Sequence, residues 1–488
     1  MRKIFSLFVF SAFLVLPILM AINVGAVQSD GMVLEWEQHW ETYGIGGTCI
    51  TSNKLSIVDI DGDGFMEIIT GGSLYYLFND TRTASEPTLK IFNWNGQNIT
   101  FEKSYKLETS IRSIYSGDAD GDGSIEIIIA GTVSNSTGSY PQIGVYQWNG
   151  EDLVLKGSYE GISVSSIFVD DVNKDGKPEI FSVGRAGNST QFYAMLNVWS
   201  WDGNSLTLDK SVEWDAVNAN SANSIYSYDL GSSGVNEIIT GGYANTLKNS
   251  SGQLRIWEWN GEDFSLKANE EWRLKDDIYG PNIAGGVQGN TVVNNVKVGD
   301  VDDDGVPEII TGGFTYDGEK TVAQLRIWNW NGQSLTLERS QEWDTQDIVE
   351  VKTISLNDVD SDGRKEIITS GVSAAYGSFY SNDPEIAQLR VWSWDGTTLT
   401  LKQSQDWYID EGATAWNIAS GDVDKDGDTE IVTVGCSSIG SMCDPDMRIW
   451  SIAKSDSFDL MAILVIIGAA IVVVLPTTFF YYRRRSGT

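Results

Sequence analysis

Seven times along the chain an acidic loop of the form D-x-D-x-D-G-x-x-E-I recurs, beginning at Asp59, Asp118, Asp171, Asp229, Asp300, Asp358 and Asp422. Oxygen donors at positions 1, 3, 5 and 9, a main-chain carbonyl at position 7 and a glycine at position 6 for a sharp turn are what a loop needs to wrap a hard cation such as Ca²⁺. In the first three copies these positions are Asp59, Asp61, Asp63, Phe65 and Glu67; Asp118, Asp120, Asp122, Ser124 and Glu126; and Asp171, Asn173, Asp175, Lys177 and Glu179. In the last three they are Asp300, Asp302, Asp304, Val306 and Glu308; Asp358, Asp360, Asp362, Arg364 and Glu366; and Asp422, Asp424, Asp426, Asp428 and Glu430. The fourth copy has Gly231 and Ser233 at positions 3 and 5, leaving Asp229 and Glu237, too few to hold a metal. The expectation is about six structural calcium sites.

The elements that position these loops follow from their flanks. An EF-hand sets its last glutamate six residues past the glycine and lies between helices. Here the glutamate follows the glycine by three, and the flanks, such as SIRSIYSG before Asp118 and EIIIAG after Glu126, are β-branched and alternating. Each metal loop therefore joins two strands. Between successive loops lies a second motif, IFNWNGQNIT, VYQWNGEDLVL, VWSWDGNSLTL, IWEWNGEDFSL, IWNWNGQSLTL and VWSWDGTTLTL. Aromatic residues two apart share one face of a strand, and Asn-Gly or Asp-Gly between apolar runs marks a hairpin. Each repeat thus has four strands, a to d: the metal loop joins a to b, and the WNG turn joins c to d.

Four-stranded units of this size, repeated radially, predict an all-β, seven-bladed β-propeller of four-stranded blades. The last repeat ends at strand c, and the early segment 32–40, VLEWEQHW with its flanking Met32 removed, is like the d strands elsewhere. It is expected to complete the seventh blade, so that no sheet edge is left open at the seam.

These loops and turns resemble the FG-GAP or VCBS-type calcium repeats of integrin α-subunit propellers and of many microbial surface proteins. The resemblance runs from about residue 32 to 452. It implies calcium in the hairpin between strands a and b, a ligand on the opposite face, and a role in adhesion or in recognition of an extracellular protein or glycan. Position 9 is Glu rather than the Asp common in integrins, and the Phe-Gly and Gly-Ala-Pro landmarks are missing, so the VCBS type is the nearer one.

The ends of the chain predict an address. Residues 1–26 have a basic start, an apolar run and small residues near Ala26, as a signal peptide does. Residues 460–482 are free of charge, long enough for one transmembrane helix, and Arg483, Arg484 and Arg485 open a cytoplasmic tail, 483–488. The expectation is a single-pass type I cell-membrane protein with the propeller, 27–455, outside. Few cysteines and a minimal anchor point to an archaeal or other microbial surface protein.

A formal net charge of −34 excludes nucleic acid as a partner, because phosphate binding needs a basic surface. Of three cysteines, Cys436 and Cys443 flank a short loop and are expected to pair, leaving Cys49. Sequons at Asn79, Asn98, Asn135, Asn188 and Asn249 suit an exported glycoprotein. The chain has one histidine, His39, and no G-x-S-x-G, Cys–His or zinc spacing, so an enzyme is not expected. The alternatives are a carbohydrate-active enzyme resembling polysaccharide-lyase propellers, with carboxylates converging at the axis, and a purely structural cell-envelope component. Tryptophans at fixed registers, such as Trp94, Trp201, Trp259 and Trp394, read as packing between repeats, whereas Trp416 falls outside those registers. The ligand is expected opposite the metal loops, on the long connections bearing Tyr279, Tyr376, Phe379 and Tyr380.

Overall fold

In the computed structural model the described residues run from 31 to 453, apart from segments 40–47, 79–80, 136–137, 188–191, 215–218, 246–249, 274–281, 284–286, 289–290, 317–318, 376–384, 409–411 and 440–441. They form a β-propeller. Repeat 1 is typical: strand a is Thr48–Val58, b is Glu67–Phe78, c is Thr81–Trp94 and d is Ile99–Lys106, antiparallel in that order. The a strands of the later repeats are Thr109–Gly117, Val164–Asp170, Ala219–Tyr228, Thr291–Gly299, Ile348–Asn357 and Gly412–Gly421.

Hydrogen bonding groups these strands differently from the expected seven separate blades. Repeats 1 and 2 each make a four-stranded sheet, and so does repeat 7, whose fourth strand is Met32–His39 alongside Met442–Ile452. Repeats 3 and 4 merge into one eight-stranded sheet, as do repeats 5 and 6. The expectation is therefore corrected to five blades, two of them double. The physical reason is one parallel pair per double blade, Phe192 with Ala219 and Thr321 with Ile348, which ties the start of strand c to the start of the next strand a. Metal loops count strand quartets, whereas sheets are counted by hydrogen bonds, and the loops carry no trace of these two bridges.

The expected anchor is corrected as well. No helix of the described residues is long and apolar enough to cross a membrane, and residues 460–482 lie outside them. The single-pass cell-membrane placement loses its support with it. Residues 1–26 also lie outside the described residues.

The core is divided among the gaps between neighbouring repeats. Ile69, Leu89 and Ile91 of repeat 1 pack with Ile127 and Ile129 of repeat 2, all fully buried. At the seam, Leu55, Ile68 and Trp94 pack with Val432, Met447 and Ile449 of repeat 7, and Trp36 of the early strand joins them. Burying each such side chain contributes about 1.5–3 kcal/mol, so the ring is held by many equal contacts. The registered aromatics run along the same gaps. Trp214, Trp272, Trp343 and Trp407 on d strands lie 5.0, 4.9, 5.1 and 5.2 Å from Trp257, Trp328, Trp392 and Trp450 of the next repeat.

Every strand a carries a β-bulge at the same register. The extra residues are Asn53, Arg112, Ser165, Asn223, Asn294, Lys352 and Trp416. The glycine five residues after each loop glutamate makes room for it. A Cβ on Gly313 would lie 2.0 Å from the Val292 carbonyl oxygen, and Gly131, Gly184, Gly242, Gly371 and Gly435 meet the equivalent carbonyl as closely or nearly so. A bulge re-aims a side chain that alternation would point elsewhere. Arg112, Ser165, Asn223, Asn294, Lys352 and Trp416 accordingly line the axial channel.

Candidate functional site

Each metal loop closes on itself through its first aspartate. In repeat 1, Asp59 accepts from the amides of Gly62 and Gly64 at 2.7 and 2.9 Å, and Asp61 and Asp63 accept from the amides two residues on. The turn this builds is left-handed at position 6 throughout, with φ from 82° at Gly234 to 94° at Gly363. Position 4 is left-handed too: Gly62 and Gly121 adopt it freely, while Lys174, Ser232, Asp303, Ser361 and Lys425 are held there at φ between 50° and 64°. The conformation is common to all seven loops and strained in the five without glycine, and the loop motif does not announce it.

The ninth residue is the best fixed. One oxygen of each glutamate accepts from the amide at position 2: Ile60 to Glu67 at 2.8 Å, Ala119 to Glu126 at 2.9 Å, Val172 to Glu179 at 3.3 Å, Leu230 to Glu237 at 3.0 Å, Val301 to Glu308 at 3.1 Å, Val359 to Glu366 at 3.1 Å and Val423 to Glu430 at 2.9 Å. The second oxygen differs. In Glu67 it accepts from Asn93 and in Glu179 from Asn173, both at 2.6 Å, while in Glu366 it is buried without a hydrogen-bond partner.

Carboxylates so placed suit a cation. Oxygens of Asp59, Asp61 and Glu67 lie within 4.8 Å of one another, as do those of Asp118, Asp120 and Asp122, of Asp300, Asp302 and Asp304, of Asp358, Asp360 and Glu366, and of Asp422, Asp424 and Glu430. Burial, reinforced by the neighbouring loop aspartates, pushes Glu67, Glu126, Glu179 and Glu366 up to about 7 and Glu308 and Glu430 to about 8. Asp120, Asp302, Asp360 and Asp424 at position 3 are raised for the same reasons. Such a group of carboxylates takes up either protons or a cation. The donor set, carboxylate with the orphaned Glu366 oxygen, fits a hard divalent ion. A bound calcium ion would supply the missing positive charge, and the loop side chains named here would hold it.

Two repeats depart from this pattern. In repeat 3 the Asn173 amide group donates to Glu179, doing part of what a cation would do. In repeat 4, Asp229 accepts from the amides of Ser233 and Gly234, so the turn forms although Gly231 and Ser233 replace two acids.

The WNG turns meet these loops across the gap between repeats. A Cβ on Gly96 would lie 2.6 Å from an oxygen of Asp424, one on Gly203 3.1 Å from Asp120, and one on Gly396 2.7 Å from Asp302. In each case the turn of one repeat covers position 3 of the loop before it. Gly332, whose turn faces the loop carrying Gly231, meets nothing within 4 Å, and Gly150 meets nothing either. The turns are four residues long: Asn95 caps the amides of Gln97 and Asn98 at 3.1 and 2.9 Å.

Other expected residues are distributed as follows. Cys436 is buried and disulfide-bonded, and Cys443 lies on the paired strand, opposite Ser438. Asn98 is exposed in the turn of repeat 1. Asn79, Asn188 and Asn249, and the expected ligand residues Tyr279, Tyr376, Phe379 and Tyr380, lie outside the described residues, and the side chain of Asn135 does too.

Residues 358–433 match the FG-GAP-like repeat family, a span that holds the loops of repeats 6 and 7. No curated protein matches the chain significantly. Among solved structures, the rhamnogalacturonan lyase YesW is similar at 14% identity over 88% of this chain and 75% of its own, with a TM-score of 0.43. A rhamnogalacturonan lyase of Bacillus licheniformis is similar at 13% identity over 84% and 91%, with a TM-score of 0.34. Sqt1 from Chaetomium thermophilum is similar at 11% identity over 86% and 100%, with a TM-score of 0.43. Likenesses this distant say nothing of activity.

Proposed function

We propose that this propeller of FG-GAP-like repeats is a calcium-binding interaction module, one that presents a rigid face to an extracellular protein or glycan. The observation that carries the reading is the recurrence of a loop glutamate and a set of aspartates at the same end of strand after strand. Metal on one face holds the quartets together, and recognition falls to the other. FG-GAP-like propellers are typically non-enzymatic, in keeping with a binding role. Residues 27–455 are taken as one propeller domain, with 32–40 as its closing strand. Its calcium is proposed at the loops of repeats 1, 2, 3, 5, 6 and 7, and the loop of repeat 4 is proposed to stay empty. The ligand face is proposed to include the connections bearing Tyr279, Tyr376, Phe379 and Tyr380.

Calcium titration of the full-length protein by calorimetry, paired with thermal melts in excess chelator, tests this. Saturable calcium uptake and a melting temperature that falls on chelation are expected, since an ion bound only by the folded loops stabilises them by linkage. Ser233→Ala should leave the stoichiometry unchanged, whereas Asp304→Ala should lower it by one site. A melt indifferent to chelator would sink the reading.

A further inference from the structure

The axial channel is a cavity of about 650 Å³ bordered by the seven a strands, a volume in the range of small-molecule sites. Its lining is at odds with the rest of the molecule. The chain has 67 acidic residues against 33 Lys and Arg, yet among the described residues four cations, Lys54, Arg112, Lys297 and Lys352, face the channel and no carboxylate does. Lys352 is paired with Glu350 and also sits over the ring of Trp416, 4.6 Å from its centroid. The other three have no acidic partner among the described residues. Lys297 lies 4.8 Å from the centroid of Tyr226, an aromatic contact and not a counter-ion.

The cost of this arrangement is visible in the lysines. Burial lowers Lys297 to about 8, and burial followed by repulsion from Arg112 lowers Lys54 to about 8 as well. Like charges gathered in one cavity suit a ligand that carries the opposite charge. The bulges place them there: Arg112 and Lys352 are bulge residues, and Lys54 follows one directly.

Two further features narrow the anion. Serine, threonine and asparagine side chains lie between the cations, interspersed with isoleucine, valine and leucine, and suit hydroxyl groups. Trp416, 36% exposed and outside the packing registers, is also a bulge residue and offers an aromatic face in the channel. The bulges sit near the middle of most a strands, and the lining runs from them toward the metal loops, as far as Ile57, Ser116 and Ser420. Cations for a carboxylate, small polar groups for hydroxyls and an aromatic face for a ring together match an acidic sugar better than a bare oxyanion or a peptide.

We propose that the axial channel binds a uronate, a carboxylate-bearing saccharide unit, with Lys54, Arg112 and Lys297 as its cationic ligands and Trp416 as the face on which the sugar ring lies. This deepens the interaction-module reading by naming a ligand class, and it rests on that reading for the choice of a glycan as the ligand. The test is tryptophan fluorescence and calorimetry on the full-length protein with galacturonate and its short oligomers, neutral galactose, inorganic sulfate and an aspartate-rich peptide. Saturable galacturonate binding is expected, at least tenfold tighter than galactose, and weakened at least tenfold by Lys297→Met and by Arg112→Gln. Lys297→Met nearly keeps the side-chain volume and Arg112→Gln keeps a polar end, and since each removes a buried charge their melting temperatures should be no lower than the parent's. Trp416→Phe should remove most of the fluorescence change. Galacturonate binding that persists while chelator leaves the melt unmoved supports the channel site and counts only against the calcium reading. Sulfate or the peptide binding as tightly as galacturonate, or affinity indifferent to Lys297 and Arg112, would overturn it.

Discussion

Glu308 shows how much one carboxylate is asked to do. It is 2% exposed, caps the Val301 amide, and lies among Asp300, Asp302 and Asp304, which together with burial lift it to about 8. Its ordinary value is 4.5, so between the two values the folded chain binds a proton that the unfolded chain has released. A pKa raised in the folded state means stability that is complete below about 4.5 and is lost as pH rises through about 7 to 8. In chelator, the melting temperature should therefore fall across that window, and excess calcium should flatten the slope, because the cation takes over the role of the proton. A melting temperature in chelator that holds level or rises from pH 5 to 8 would refute the account. Glu308→Gln keeps an oxygen for Val301 and removes the charge. In chelator at pH 8 it should stabilise the protein by on the order of 1–3 kcal/mol, the scale of an uncompensated buried polar group, while lowering calcium uptake by one site. At this scale the sequence was readable, because ligand positions keep fixed offsets. The left-handed position 4 was not, since only Gly62 and Gly121 of its seven occupants suggest it.

At the scale of the element, the strands and turns followed from alternation and from Asn-Gly or Asp-Gly, and both were legible. The bulges were not. Their cause stands in the sequence as a glycine five places after each loop glutamate, but a glycine in a strand says only that something approaches closely. Gly313→Ala should cost about 2 kcal/mol or more, because its Cβ would sit 2.0 Å from the Val292 carbonyl oxygen and the strand must move. Urea denaturation checks the value, and a loss under about 0.5 kcal/mol, the level of an ordinary surface change, would contradict the contact. The cover that a WNG turn places over the preceding loop was equally hidden, since it joins different repeats. Gly396→Ala and Gly332→Ala meet the same backbone strain, φ +82° and +86°, but only the first would touch a ligand, Asp302. Calcium affinity at one site should drop in Gly396→Ala and stay at the parental value in Gly332→Ala. Equal behaviour of the pair would remove the turn from the metal site.

Across the whole molecule, the number of repeats could be read and the number of sheets could not, because the Phe192–Ala219 and Thr321–Ile348 pairs depend on how two repeats happen to meet. The membrane anchor was read from a run of uncharged residues, a signal of composition that is indifferent to what surrounds it. Removing residues 32–39 should expose the backbone of Met442–Ile452 along one sheet edge and produce aggregation or a broadened melt. A truncated protein as soluble and as cooperative as its parent would show that this strand is dispensable.

The pairing of Met32–His39 with Met442–Ile452 also sets an order of events during biosynthesis. The first strand of the ring leaves the ribosome early and its neighbour leaves about 400 residues later, which at roughly 5–20 residues per second is a wait of about 20–80 s. Local hairpins within each repeat can form as they emerge, since closing short loops takes far less time. The seam cannot, and Met32–His39 spends that interval without its partner strand. The ring is thus assembled sequentially and sealed last, and the nascent chain is most vulnerable to mispairing with its own copies just before synthesis of the final repeat is complete.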